Sequence, residues 1–589
     1  MVRLYLNNQE VIVDSSSSVK ITRENPYITQ SDSYTLDVSL PLSILQNRVF
    51  FGNIQRLDTT KSNTEIDARL MNGNDILLEG TARIIQSSEL DVKVQLANGI
   101  SALKIAAKEL EEYIDVLIDE PSVKSSYQSD GEDWHCLDYG PIEIANHKGY
   151  GAILHDKTSD LVVNAAGGDI YGRWTYNIVS ECPRLIDIAY LVAEKLGYEL
   201  DLSYLPEACS HIYVISSIPG NIGRKLPHWT VKQFLAEFQN FFGCAFVRAG
   251  NRLLKLIPLS SFIDNQVTSI TPSDEYKVDY SKDDVSKGVM NSNIEFSMTE
   301  SDTEIVDEDI LEQATHDVTY QSIGEMENAF IADNPVTKLR KIYRCDGEIY
   351  VGWEKDEDVY ELRKVAPFNP LIRFENKDSV ELKIAPAFME EDVDCEVSLM
   401  VGSSTVDRPR TFKYTCHLPK VDNPFGIKVM KPIGEPDSST LQDLIEGNEN
   451  IVSEEDKSDI MSVAFIDGLE EKIKVENEDG SYYTGVQIHL AYTDCNFKKQ
   501  FTNNRRKWSF SLNELQGCDF YLGQLHKIGF HCDGKVKYTV KFTSIAIPDP
   551  TDIFIINGKE FACEKIEADV RDGELEHLMT GYFYSLSRS

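Results

Sequence analysis

The stretch from Pro227 to Pro258, PHWTVKQFLAEFQNFFGCAFVRAGNRLLKLIP, restricts the fold more than any other part of the chain. Thr230 stands where a helix N-cap is wanted, with Gln233 at the matching position of a capping box. Val231, Phe234, Leu235, Phe238, Phe241 and Phe242 recur at helical spacing and form one wide apolar stripe. Gly243 follows the last periodic residue, where a left-handed C′ position is expected. The chain then runs CAFVR, turns at Ala249-Gly250-Asn251 and returns as RLLKLIP, a β-hairpin pattern. Burying six such side chains contributes roughly 9–18 kcal/mol before conformational entropy is subtracted. This is a packing signal that anchors a domain and carries no chemistry.

A second helix with the same grammar spans 183–196, with Pro183 expected at its first position, Leu185, Ile188, Ala189, Val192 and Leu196 as its stripe, and Gly197 as its stop. The strand YELDL follows. Helix, glycine and strand thus occur in order twice, at 183–202 and 230–248, either as an internal repeat or as ordinary α+β grammar. Outside this region the signals are β. Asn7-Asn8 turns between RLYL and EVIV, and Asn72-Gly73 follows TEIDARLM. Residues 65–70 and 90–96 alternate cleanly, so one face is buried and one wet, and a small barrel or sandwich is the natural closure. KIAAKELEEYIDVLI, from Lys104, suggests a short helix, and 121–151 reads as loop. Residues 434–459 are polar and acidic and read as a linker. The end is dense in strands, with Asn557-Gly558 marking a hairpin.

At 589 residues the chain holds roughly three to five domains. Its 96 acidic and 58 basic residues give a net charge of −38, which argues against a surface that grips nucleic acid or anionic lipid. The N-terminal MVRLYLNNQEV does not read as a signal peptide, and no long apolar run suggests a membrane span. Eleven cysteines without a C-x-x-C pair read as free thiols in a reducing compartment.

Candidate chemistry is sparse. Gly529-Phe530-His531-Cys532-Asp533-Gly534-Lys535 opens like a phosphate-binding loop, but Val536 stands where Ser or Thr should hold magnesium, and Asp533-Gly534 reads as a hairpin turn. His526, His531 and Cys532, His135 with Cys136, and Cys416 with His417 lie close in sequence without completing a zinc set. Residues 299–313 are acid-rich but lack the alternating pattern and central glycine of a calcium loop, and read as a solvated loop. Lys498-Lys499 and Arg505-Arg506-Lys507, near Phe497, Phe501 and Trp508, form a basic-aromatic patch read as a hairpin tip at Asn503-Asn504. The hydrolase motifs Gly-x-Ser-x-Gly and His-Glu-x-x-His are missing. A glycosidase-type carboxylate pair is placed by fold and cannot be picked out among 96 acids. No catalytic, cofactor-binding or metal-ligating residue is assigned, and no cofactor or enzymatic activity is expected.

ITRENPYIT…YTLDVSLPL…NRVFFGNIQRLD (21–58), TVKQFLAEFQNFFGCAFVRAGNRLLKLIP (230–258) and DIFIINGKEFACEKIEADV…TGYFYSL resemble tail-tip or baseplate hub proteins of phages and prophages of gut Bacteroidetes. In that family the hub is a homotrimer. Each subunit offers two small barrels resembling the tube protein's fold, so three copies make a pseudo-sixfold ring between a hexameric tail tube and a threefold tip. The resemblance implies a mainly β, multidomain chain with an α+β central region, small tube-protein-like barrels and an inserted β-sandwich-like module. It places the first barrel at 1–104, a connector or loop region at 105–170, the α+β domain at 171–260 and the first part of a second barrel at 261–345. The inserted module would be 346–529, and 530–589 would close the second barrel. The implied partners are sibling copies, tube or distal tail proteins, the tape-measure protein and, as an option, a host-surface glycan. The implied location is the virion tail tip, assembled in the host bacterial cytoplasm, around a DNA conduit with no sequence-specific nucleic-acid binding. Many relatives carry a C-terminal wall hydrolase, whereas this sequence ends at Ser589 just after the final strands, which speaks against wall degradation. The rival reading is a carbohydrate-binding or glycan-cleaving multi-β protein, including a tail-tip lysin.

Overall fold

The computed structural model describes residues 2–14, 18–35, 38–52, 54, 56, 66–103, 113–118, 142–147, 150–156, 161–165, 168–172, 179–215, 222–250, 252–273, 276–280, 294–297, 304–306, 316–345, 348–356, 358–365, 372–374, 380–387, 389–401, 408–419, 460–477, 482–494, 507–515 and 517–588. It is mainly β, built from several sheets with a helical centre.

The N-terminal strands form a ring. Val2–Leu6 pairs with Gln9–Val11 through a turn in which Asn7 and Asn8 both have positive φ, a twist that matches the strands. The ring continues through Ile66–Asn72, Asp75–Ser87 and Asp91–Ala97 to Val38–Pro41. It closes where the Asp14 N–H donates to the Ser39 carbonyl at 3.1 Å. Beside that seam the fully buried Asn47 side chain spans from Ile12 to Pro41. Alternation does what the sequence implies: Leu4, Leu6, Leu70, Val92, Val94 and Leu96 all point into one core.

The C-terminal strands form a second ring. Ile553–Ile556, Lys559–Arg571, Leu578–Arg588 and Phe530–Thr543 follow one another by antiparallel pairing. Val267–Ile270 lies parallel to Ile553–Ile556; two residues later Pro272 bridges Phe542, and Lys277–Tyr280 pairs with Phe530–Thr543. One crossing segment therefore closes this ring. Asn557 and Gly558, both with positive φ, make the expected hairpin. Asp533-Gly534 makes none: Phe530–Thr543 is a single strand with a register shift between Asp533 and Lys537. The two rings share one 15-stranded sheet and one apolar core.

The central helix runs Val231–Phe242 as the sequence indicates, with the Thr230 hydroxyl accepting the Gln233 N–H at 3.1 Å and Gly243 left-handed at φ 57°. All six stripe residues are fully buried. The helix packs on Cys244–Arg248 and Leu253–Pro258, and Glu199–Asp201 adds to the latter in parallel. The other helix is Leu185–Lys195, so Pro183 lies outside it. Arg184 takes the N-cap, and its guanidinium forks onto Asp187 at 2.8 and 3.0 Å. Of the expected helix near 104–118 only Ile114–Leu117 falls within the described residues.

Two further large sheets and three small ones lie among the described residues. One has six strands, from Glu304–Val306 and His316–Tyr320 to Ile372–Phe374, with two short helices between 323 and 340. Residues 345 and 348 lie in adjacent antiparallel strands of this sheet. The other joins Met389–Val401, Arg408–Pro419, Met461–Asn477 and Tyr482–Tyr492 with Leu161–Ala165, Gly168–Gly172, Ile212–Val214 and Ile384–Pro386. Part of the span read as loop is strand: Ile142–His147 pairs with Tyr150–Asp156. The alternation of Ile142, Ile144 and Ala152 was hidden in the sequence by the intervening His147-Lys148-Gly149. The linker span 434–459 and residues 497–506 of the basic-aromatic patch lie outside the described residues, as does all of 299–313 except Glu304–Val306. Of the rest of that patch, Lys507 is exposed but Trp508 is buried in the core rather than on an exposed face.

Candidate assembly surfaces and the junction between the rings

The chemistry of the described residues concentrates where the rings meet. The Val19–Glu24 strand pairs along its whole length with Lys565–Val570 of the second ring. On its other side, Ile21 and Thr22 pair with Thr35 and Tyr34, and Tyr34 pairs with Ala97 of the first ring. Arg23 is largely buried here, and donates from Nη1 to the Ile547 carbonyl at 2.9 Å and from Nη2 to the Leu77 carbonyl at 2.8 Å. Burial pulls the guanidinium pKa down from its ordinary value, against the attraction of Asp549 and Asp32. Asn25 repeats the device. Its Nδ2 donates to the Pro550 and Cys563 carbonyls at 2.9 and 2.8 Å, while its Oδ1 accepts the Tyr27 N–H. Both side chains supply donors to backbone carbonyls from either side of the seam.

A third link brings in the α+β domain. Arg248, at the end of the central hairpin, reaches Glu79 of the first ring at 3.1 Å, and Arg69 holds the other oxygen of Glu79 at 2.7 Å. The bond from Arg69 keeps the Glu79 carboxyl below its usual range, with Arg248 acting in the same direction. Asp32 is pushed the other way: burial raises its pKa, although Oδ1 accepts the Ser33 N–H at 2.7 Å. Gly99 has φ 51°, and a Cβ there would run into the Asp32 carboxylate, so a side chain would both strain the backbone and force Asp32 to move.

One patch of the shared sheet carries a lattice of charge and rings. Lys20 and Lys565 hold Glu567 at 2.8 and 3.0 Å, and Lys537 holds Glu564 at 2.6 Å. Tyr582 and Tyr584 donate to Glu567 and Glu564, and Lys537 and Lys565 lie over the Tyr582 ring at 5.1 and 4.8 Å. Each carboxylate is matched by a lysine and a phenol. The lattice therefore ties strands together across the sheet.

Exposed apolar side chains lie on both rings. Leu45 and Val49 stand one turn apart on the Leu45–Phe51 helix, and the backbone of exposed Leu90 accepts the Leu42 N–H nearby. Tyr276, Tyr280, Ile545 and Leu578 are exposed on the second ring. Surfaces of this kind suit docking to other protein.

The motifs singled out in the sequence do not converge. His526 is half-buried and its Nε2 donates to the Phe241 carbonyl at 3.0 Å, His531 is exposed, and Cys532 is buried. Burial lowers the His526 pKa to about 4. His135, Cys136 and the side chains of Cys416 and His417 lie outside the description. Among the described residues no group of three His, Cys, Asp or Glu can hold a metal, and no helix is long and apolar enough to cross a membrane. Cys209, Cys244 and Cys563 are buried free thiols. The residues that sequence reasoning missed are Arg23, Asn25 and Asn47, polar groups in or beside apolar strands. Their one visible signal was that position.

No family model matches the chain, and no curated protein matches it. Among solved structures it is similar to the 43 kDa tail protein of prophage MuSo2 from Shewanella oneidensis, at 7% identity and a TM-score of 0.30, over 99% of this chain and 97% of that one. It is similar also to the tail protein from Neisseria meningitidis MC58, at 7% identity and a TM-score of 0.29, over 99% of this chain and 95% of that one.

Proposed function

We propose that the chain is a structural subunit of a phage tail tip or baseplate. In this reading it is a trimeric hub that adapts a hexameric tail tube to a threefold tip, encloses a passage for DNA and catalyses nothing itself. The observation that carries the reading is the pairing of Val19–Glu24 with Lys565–Val570, which fuses two small β rings into one sheet. Two rings per chain give six around a threefold axis, the number a hexameric tube presents. The sequence resemblance at 21–58, 230–258 and the closing strands supports the same reading. The junction supports it mechanically, because Arg23, Asn25 and the Arg248–Glu79 pair lock the rings and the α+β domain together. A net charge of −38 suits a passage along which a polyanion slides without sticking. The partners are then sibling copies, tube or distal tail proteins and the tape-measure protein. The site of action is the tail tip of the virion, reached after assembly in the host cytoplasm.

Immunogold microscopy of purified phage particles with an antibody to this chain, paired with native mass measurement, tests the proposal. Label at the end of the tail far from the head, and a mass of three chains, are expected. Particles devoid of the chain, or a chain that stays monomeric and ignores tail tubes, would overturn it.

A further inference from the structure

We infer that the corner between the Ile323–Ala332 and Pro335–Arg340 helices is a contact to a second copy of this chain. This rests on the reading of the chain as a self-assembling subunit. The corner belongs to the six-stranded sheet, whose outer Glu304–Val306 and Ile372–Phe374 strands pair in parallel, followed by the parallel pair Ile294–Phe296 and Val380–Leu382 on the α+β core. The first helix is capped by Ser322, which accepts the Glu325 N–H at 3.3 Å. The second is capped by Asn334, which accepts the Thr337 N–H at 2.9 Å, and opens with Pro335. Met326 and Phe330 face inward onto Tyr343 and Cys345.

The outward face is where the sequence departs from an ordinary solvated helix. Ile331 is 73% exposed and Val336 64%, and Leu339 beside them is exposed as well. Branched apolar residues at such positions bring no gain in helix propensity and no internal packing. The second helix and the strand after it reverse the charge of the whole chain: residues 335–345 carry Lys338, Arg340, Lys341 and Arg344 and no acid, while the acids of the corner, Glu325, Glu327 and Asp333, lie on or just after the first helix. Lys341 is matched by Asp333 at 2.7 Å and Arg344 by Asp317 at 2.9 Å. Lys338 lies over the Phe330 ring at 4.9 Å. Arg340 is exposed and makes no ion pair among the described residues. An apolar centre rimmed by arginine is the composition of an interface hot spot. On a chain of net charge −38, a sibling copy offers the complementary acidic surface. The contact is heterologous, this corner meeting a different face of the next copy, which is what closes a ring of three.

Sedimentation velocity of the full chain at low and high salt tests the inference. Wild type is expected to self-associate as concentration rises. Val336→Asp with Leu339→Asp should weaken association by about tenfold or more. Arg340→Glu, which alters only an exposed charge, should weaken it several-fold at low salt and less at high salt. A wild type that stays monomeric at every concentration, yet is found in tails, overturns the self-contact and leaves the tail reading standing. Association undiminished in both variants overturns the corner alone.

Discussion

Asn47 and Ile12 are joined by two hydrogen bonds, from the Ile12 N–H to Asn47 Oδ1 and from Asn47 Nδ2 back to the Ile12 carbonyl, each 2.8 Å long. A third bond, from Nδ2 to the Pro41 carbonyl at 3.0 Å, makes the side chain a bridge across the seam of the first ring. Asn47→Leu removes all three bonds, puts an apolar group where a buried amide bridged the seam, and leaves the part-buried Ile12 and Pro41 backbone groups without this partner. The expected cost is about 2–4 kcal/mol, read as a lower urea midpoint. A loss below about 0.5 kcal/mol would mean that the seam is held by the Asp14–Ser39 backbone bond and core packing alone.

Arg23 does for the junction what Asn47 does for the seam. Arg23→Met keeps most of the apolar stem but strands the Ile547 and Leu77 carbonyls. We expect a loss of about 2–4 kcal/mol. Hydrogen exchange should rise first along Val19–Glu24 and Lys565–Val570, because these strands join the rings. Exchange that rises only inside one ring would show that the junction is not the weak point.

Gly243 ends the central helix at φ 57°, and an added Cβ would lie 2.8 Å from the Leu525 carbonyl oxygen. Gly243→Ala meets both backbone strain and a backbone clash, and should destabilise by about 2 kcal/mol or more. Gly558 also has positive φ, but nothing lies within 4 Å of its Cβ position. Gly558→Ala should therefore cost only the conformational part, about 1–2 kcal/mol. Equal losses at the two sites would show that the Leu525 contact relaxes freely.

The central helix was legible because everything that makes it is local: a cap, a stripe and a stop within fourteen residues of Thr230. The Asn7-Asn8 and Asn557-Gly558 hairpins were legible for the same reason, since turn chemistry is written in two adjacent residues. The closures were not. Nothing near Asn47 in sequence announces Ile12, and Arg23 finds a partner 524 positions away. Asp533-Gly534 misled because a turn-like dipeptide also serves as a bulge when a neighbouring strand pairs on both sides of it. Pro183 misled by two residues because the backbone there pairs as strand: the Pro183 carbonyl accepts the Val214 N–H at 2.9 Å and Arg184 bridges Tyr213, so the helix starts at Leu185.

His526 gives the sharpest pH dependence. Burial lowers its folded pKa to about 4, so the folded protein holds the neutral ring, with Nε2 donating to Phe241. An unfolded histidine titrates near 6.5 and binds a proton that the folded one refuses. Stability from this site is therefore complete above about pH 6.5 and is lost as pH falls toward 4. Between pH 7 and 5 the loss is about 2 kcal/mol. Asp187 acts in the opposite sense over part of the same range: burial raises its pKa to about 6 despite Arg184, so its contribution falls as pH rises from about 4 to 6. Acid unfolding of the wild type mixes the two, and comparison with His526→Gln separates them. The urea midpoint of the variant should drop less between pH 7 and 5 than that of the wild type, by the amount His526 contributes. Parallel drops in the two proteins would show that His526 takes up its proton in the folded protein as readily as in the unfolded chain.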